Sequence, residues 1–353
     1  MSSPTDHLMQ ASAGVSTVVC ERPGVMRTVR RAPIACGPGE LTLRIRPIGI
    51  CGTDLHAFQG NQPYFSYPRV LGHELCGEVV AIGQDVDPAM LGTSVAVVPY
   101  ISCGHCQACQ NNRSNCCQSL SVVGVHQEGG MAEQLVLPAE QVMASSELNF
   151  DQLALVECLA IGAHAVRRSA AATGELALVV GAGPIGLGVI QILRARGIDV
   201  AVMDTNANRL AFCRDVLGVT NTLTMGEEAP VEFVKRISNG ALADVVFDAT
   251  GNPAAMEAGF DYAGHGARYV LVSIVKSTIQ FSDPDFHRKE LSLLGSRNAS
   301  REDFATVMAL MAAGELHELA MITHRTTLAA VPQNMDTWSD PAVGAIKVMI
   351  DNP

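Results

Sequence analysis

The sequence predicts an α/β protein of two domains, one of them a doubly wound parallel sheet, and three observations carry that expectation. The chain has 353 residues, more than one hydrophobic core usually supports. From Glu175 onward, strand-like apolar runs alternate with helical stretches, the pattern of parallel strands joined by crossover helices. Between the first such strand and its helix lie Gly181, Gly183 and Gly186, spaced GxGxxG. That context turns a weak glycine motif into an informative one.

Composition narrows the function. A hydrophobic fraction of 48% with 17% charged residues describes a well-packed globular chain. The net charge of -11 opposes binding to a phosphate backbone, so nucleic acid is not an expected partner. The start, MSSPTDHLMQ, lacks a basic segment followed by an apolar one, and no run approaches the eighteen or so apolar residues of a membrane span. A cytoplasmic protein without a membrane partner is therefore expected, and its 11 cysteines point to metal rather than disulfides. Residues 1–14 form an N-terminal tail with no functional reading.

In chain order, the first chemical signal is CGTDLH, where Cys51 is followed by Thr53, Asp54 and His56; GHE then places His73 beside Glu74. A soft ligand, an imidazole and several proton-handling groups this close together are a mixture that packing does not require. Next comes SCGHCQACQNNRSNCC, in which Cys103, Cys106, Cys109 and Cys117 follow CxxCxxCx7C, with Gly104 in the first turn. Four thiolates around Zn2+ close a tetrahedral site with no position left for substrate, so this loop predicts a structural zinc. Cys116 adjoins Cys117 and is the alternative fourth ligand. Arg113 is the one full positive charge in the stretch, which disfavours a nucleic-acid-gripping ribbon. Glu157 then interrupts ALVECLAIGAHAV, an apolar segment of helical character. A buried carboxylate is costly unless paired or metal-bound, so Glu157 is a candidate third ligand beside Cys51 and His73. One thiolate and one carboxylate would cancel the charge of a dication, with His73 neutral; the other reading keeps Glu157 on a helix surface beside Asp151.

The segment from Glu175 reads as a buried strand, the glycine turn, a helix stopped by Gly197, a strand ending at Asp204, and a helix stopped by Gly218. Gly181 permits the tight turn, Gly183 the approach of a pyrophosphate, and Gly186 the packing of helix on strand, with the helix N-terminus toward the phosphates. Asp204 stands where a carboxylate accepts hydrogen bonds from a ribose diol, which favours NAD over NADP; Arg209 would pair with a 2′-phosphate or stack on adenine. Further strands are expected at Ala243–Thr250, Ala267–Ile274 and Ser292–Asn298, then a helix from Glu302 and a late strand AIKVMID. The last segment has no core of its own and is expected to return to the first domain.

CGTDLH, GHE, CxxCxxCx7C, VECLAIGAHAV and GAGPIG occur in the order and spacing of the zinc-dependent medium-chain dehydrogenase/reductase superfamily, which the chain resembles from about Thr17 onward. It looks most like the polyol and sugar-acid branch, with sorbitol dehydrogenase and threonine 3-dehydrogenase. HAFQGNQPYFSYPRVLGHE and GVHQEGGM are similar to bacterial L-galactonate and L-gulonate 5-dehydrogenases. The resemblance implies a GroES-like β-barrel catalytic domain over 15–160, a Rossmann domain over 161–295, and residues 296–353 completing the first. It implies two zinc ions per chain: a catalytic ion on Cys51, His73 and Glu157, with Glu74 a ligand in some relatives, and a structural one on the four cysteines. Asp54 would orient the His73 imidazole, while Thr53 and His56 would relay the alcohol proton. Pro184, Ile185, Thr250 and Ser273 would line the dinucleotide with the glycines, Asp204 and Arg209. Hydride would pass from a secondary hydroxyl of a polyol or sugar acid to NAD+, giving the ketone, in a homodimer or homotetramer.

Ser94, Cys158 and Ser273 depart from the family pattern, where arginine, proline and glycine are common; none is a proposed ligand. Residues expected along the substrate path are His126, Arg297, Tyr64 and Phe65, with Arg297 or Lys276 facing a substrate carboxylate. Two other readings remain: an L-threonine 3-dehydrogenase or simple alcohol dehydrogenase, and a non-catalytic NAD-binding sensor.

Overall fold

A computed structural model describes residues 14–62 and 65–352; residues 1–13 of the tail, Pro63, Tyr64 and Pro353 lie outside the described residues. Six strands make one parallel sheet in the order Asn221–Thr224, Asp199–Asp204, Leu176–Val180, Ala243–Asp248, Ala263–Leu271, Ser292–Gly295. Ala177, Leu178 and Val179 are fully buried, as a strand covered by helices on both faces requires. The strand order reverses beside Leu176–Val180, so a ligand crevice opens at the carboxyl edge there. The helix after the glycine turn spans Pro184–Ala195, with Gly197 at φ +68°; the next spans Ala207–Asp215, with Gly218 at φ +63°. The strands expected at Ala243–Thr250 and Ser292–Asn298 end at Asp248 and Gly295, and the one expected at Ala267–Ile274 begins at Ala263 and ends at Leu271. The N–H groups of Val272 and Ser273 turn back to the Asp248 carbonyl, which takes the chain out of the sheet.

The other domain is built on the long strand Glu40–Ile50, which pairs antiparallel with Glu74–Ile82, Gln134–Pro138 and Lys347–Asp351. Alternation brings Leu41, Leu43 and Ile45 into its core. Lys347–Asp351 also runs parallel to Ile322–Thr327, so the C-terminal segment completes this sheet.

The helix Phe150–Ser169 joins the two halves. Asn149 caps it, exchanging hydrogen bonds with Gln152 at 2.9 and 3.0 Å. It packs on Pro184–Ala195, on the helix Arg301–Ala312 and on the strand Glu74–Ile82, and is apolar nearly all round because it is buried nearly all round. Residue 160 lies inside it, so the chain passes between halves through a rigid element rather than a linker. Among the described residues, no helix is long and apolar enough to cross a membrane.

Candidate active site

Cys51 caps the short helix Gly52–Phe58, while His73 precedes and Glu74 begins the strand Glu74–Ile82. Asp54 ties the two segments together: one carboxylate oxygen accepts the N–H of Cys51 (2.9 Å) and the other that of Gly72 (3.0 Å). The Cys51 sulfur, a His73 ring nitrogen and a Glu74 oxygen all lie within 4.8 Å of one another. His73 Nδ1 stands 3.7 Å from Asp54, beyond hydrogen-bond distance, and is buried without a partner. Asp54 therefore fixes the backbone around the ligands more directly than it orients the imidazole.

Glu157 projects into the same buried region from the helix Phe150–Ser169. Its Oε1 accepts the hydroxyl of Tyr100, which is also buried. Burial raises the Glu157 carboxyl, while the His73 charge opposes that rise. Burial works against a charge on His73, but Asp54, Cys51 and Glu157 outweigh it and hold the imidazole well above its usual range. Glu74 differs from Glu157 in one respect. Lys347, itself buried, lies 2.6 and 2.7 Å from its two oxygens and cancels its charge. Glu74 thus joins Cys51 and His73 by distance, while Cys51 and Glu157 are the anions left to balance a dication. A buried set of soft and hard ligands with an orphaned imidazole nitrogen fits Zn2+.

On the next turn of the helix from Cys51 stand Thr53, half-buried, and His56, exposed. Residues one turn apart share a helix face, so this pair leads from the pocket toward solvent.

The sulfurs of Cys103, Cys106, Cys109 and Cys117 also lie within 4.8 Å of one another, with Cys106 and Cys109 at 3.5 Å and Cys106 and Cys117 at 3.9 Å. A tetrahedron of Zn–S bonds near 2.3 Å sets sulfurs about 3.8 Å apart, so the group fits the ion. Backbone N–H groups, foremost those of Gln118 and Cys103, favour the thiolates of Cys106 and Cys117. Cys116 is exposed and outside the group.

At the crevice of the parallel sheet, Gly181 has φ +97°, and a Cβ on Gly186 would run into the Gly181 carbonyl. Gly183 caps the helix that Pro184 and Ile185 begin, and a Cβ there would meet only Arg209 Nη1 at 3.7 Å. This open, donor-lined turn fits a pyrophosphate. Asp204 accepts the N–H groups of Ala182 (2.6 Å) and Asn206 (2.7 Å). Thr250 is pinned to Asp248 by its N–H and hydroxyl and abuts Gly181; Ser273 sits half-buried near Gly251. Arg297 and Lys276 are exposed, as is His126.

Sequence reasoning missed Tyr100, Lys347 and Asn115. Lys347 did leave a signal, a lysine inside an otherwise apolar strand. Asn115, buried in the cysteine loop, donates to the Arg297 carbonyl (2.9 Å) and to His164 Nε2 (3.2 Å).

Comparison with known proteins agrees with this geometry. Residues 37–147 match the alcohol dehydrogenase GroES-like domain, and residues 184–313 match the zinc-binding dehydrogenase family. The chain is 43% identical over 325 residues to L-galactonate-5-dehydrogenase of Escherichia coli strain K12, covering 91% of this chain and 94% of that protein. An alcohol dehydrogenase (rspB) of E. coli CFT073, solved with NADH, superposes with TM-score 0.90 at 27% identity, over 96% of this chain and 99% of that one. A zinc-binding dehydrogenase of Sinorhizobium meliloti 1021, solved with NADP, gives TM-score 0.89 at 29% identity, with the same coverage.

Proposed function

Because the chain belongs to the zinc-dependent medium-chain dehydrogenases, oxidoreductases that act on CH–OH groups, we propose that it oxidises a secondary hydroxyl of a sugar acid, an L-galactonate or L-gulonate at C5, with NAD+. The 43% identity to an L-galactonate dehydrogenase along nearly its whole length carries the substrate class. The division at residues 15–160, 161–295 and 296–353 belongs to this reading, as do a cytoplasmic location and a homodimer or homotetramer.

Cys51, His73 and Glu157 would hold the catalytic zinc, with Glu74 kept in reserve by Lys347. The bound ion would supply the Lewis acidity that loosens the substrate hydroxyl proton, and NAD+ would accept the hydride. The chain's own groups do the rest. Tyr100 holds the Glu157 carboxylate in place, and Asp54 fixes the spacing between the Cys51 and Gly72 backbones. Thr53 takes the proton at its hydroxyl and passes it to His56, whose exposed ring gives it up to water. Asp204 selects a free ribose diol.

The test is NADH production on a panel of aldonates, polyols and L-threonine, with and without chelator. Turnover on an aldonate, lost on chelation and in Cys51→Ser, is the expected result. Full turnover in Cys51→Ser, or activity confined to L-threonine, overturns the assignment.

A further inference from the structure

We infer that the cysteine loop governs the catalytic metal site through Tyr100: an ion on the four thiolates holds the strand that aims the Tyr100 hydroxyl at Glu157, so the two metal sites are coupled. This rests on the reading of Glu157 as a ligand of the catalytic ion and adds what fixes that ligand.

Tyr100 lies in the short strand Tyr100–Ile101, which leads into Cys103 and pairs antiparallel with Ser121–Val122, the strand that follows Cys117. The segment between these strands carries all four cysteines of the group. A ladder of two residues on each side is marginal by itself. The thiol group closes its open end: the Cys103 N–H donates to Cys117 Sγ at 3.2 Å, and the four sulfurs lie within 4.8 Å of one another. An ion bound there ties the ends of both strands together, with its first ligand only three positions after Tyr100.

The same segment grips the helix Phe150–Ser169 at two points. Tyr100 donates its hydroxyl to Glu157 Oε1, which leaves Oε2 for a metal, and Asn115 Nδ2 donates to His164 Nε2 at 3.2 Å. Glu157 and His164 are seven positions apart, two helical turns, and so stand on one face of that helix. The helix Arg301–Ala312 clamps both contacts. Its Asp303 accepts the His164 Nδ1–H at 2.9 Å, and the neighbouring Phe304 ring meets the Tyr100 ring edge-on, with centroids 6.3 Å apart. These six side chains are all buried. A shift of the strand would therefore pull the hydroxyl from a carboxylate that no water can reach to hold instead, and the Glu157 oxygen left for the metal would turn with it. A loop that folded for its own sake would need neither contact; Tyr100 makes it a positioning device for the other ion.

The test is competition between the holoenzyme and a chromophoric zinc chelator, which reads the affinity of each ion, in the wild type, Tyr100→Phe, Cys117→Ser and the double variant. Tyr100→Phe keeps the ring against Phe304 and removes only the hydroxyl. It is expected to weaken the catalytic ion roughly 10–100-fold while the cysteine loop retains its own ion. Cys117→Ser, which empties the loop, should weaken the catalytic ion by a similar factor, and the double variant should be no worse than either alone. Asn115→Ala leaves every cysteine in place and keeps the test open should Cys117→Ser not fold: a loss of roughly tenfold at the catalytic site is expected, and none when Tyr100→Phe is already present. Full catalytic-site affinity in Cys117→Ser, or in Asn115→Ala where Cys117→Ser does not fold, overturns the coupling, as do losses that add in the double variant. Substrate turnover does not enter, so the identity of the sugar acid has no bearing on the result. Glu157→Gln, run alongside, separates the two failures: an undiminished catalytic ion there overturns the ligand set, whereas loss of that ion there with full affinity in Cys117→Ser overturns the coupling alone.

Discussion

Lys347 and Glu74 stand 273 positions apart in the chain and form a fully buried ion pair, with the ammonium bonded to both carboxylate oxygens at 2.6 and 2.7 Å. A buried pair contributes little net stability over an apolar one, but breaking it strands a charge. Lys347→Met should therefore cost about 3–5 kcal/mol in urea unfolding, and Lys347→Met with Glu74→Gln should recover most of that loss. Additive losses in the double-mutant cycle would contradict the pairing.

Glu74 and Glu157 compete for one role, and their surroundings separate them. Since Lys347 satisfies Glu74, Glu157→Gln should lower bound zinc to about one ion per chain and reduce kcat/KM roughly a thousandfold or more, while Glu74→Gln retains two ions. Metal analysis of both purified variants checks this, and the reverse order would make Glu74 the ligand.

In the cysteine loop, Cys117→Ser should remove one zinc and destabilise the loop, because metal binding there is also folding energy. Cys116→Ser should leave zinc content and melting temperature unchanged. Metal analysis with thermal unfolding separates the two neighbours.

Asp303 sets a pH dependence. Burial opposes its ionisation, but hydrogen bonds from His164 and Arg167 outweigh it and hold the carboxyl well below the ordinary range. A lowered native pKa gives stability that is present above the unfolded value, about 3.9, and is lost as pH falls through the native one. Wild type should lose urea resistance between roughly pH 5 and 3 more steeply than Asp303→Asn, which is weaker at pH 7 and flatter below it. Parallel curves would contradict the sign.

Asp204 accepts two backbone N–H groups at the crevice, at the end of the strand after the glycine turn, and a carboxylate at that point of such a fold disfavours a 2′-phosphate. Asp204→Ser should shift the NAD-to-NADP ratio of kcat/KM by roughly 100-fold toward NADP, with Arg209 at hand to meet the phosphate. Steady-state kinetics with both coenzymes measures it.

The legible parts of this protein were those with a local cause. GAGPIG announces itself because a tight turn, a phosphate approach and a close helix crossing each require glycine at a fixed offset. The four cysteines are legible for the same reason, as one loop supplies all of them. Cys51, His73 and Glu157 were legible only as residues out of character with their surroundings, and the family resemblance supplied their convergence. Tyr100 and Asn115 were not legible because their roles arise from long-range packing: each is an unremarkable residue until a partner from another segment arrives, and Lys347, though out of character in its strand, gave no sign that its partner is Glu74. The early end of the strand at Leu271 was likewise invisible, since the Asp248 carbonyl that captures the next N–H groups belongs to a neighbouring strand.

The pairing of Lys347–Asp351 with Glu40–Ile50 gives the pocket an order of assembly. At about 5–20 residues per second, a ribosome makes Glu74 roughly 15 to 55 s before the lysine that neutralises it. During that interval Glu74 lacks the ammonium that neutralises it in the folded pocket. The charge balance of the pocket is therefore settled last, when the late strand docks.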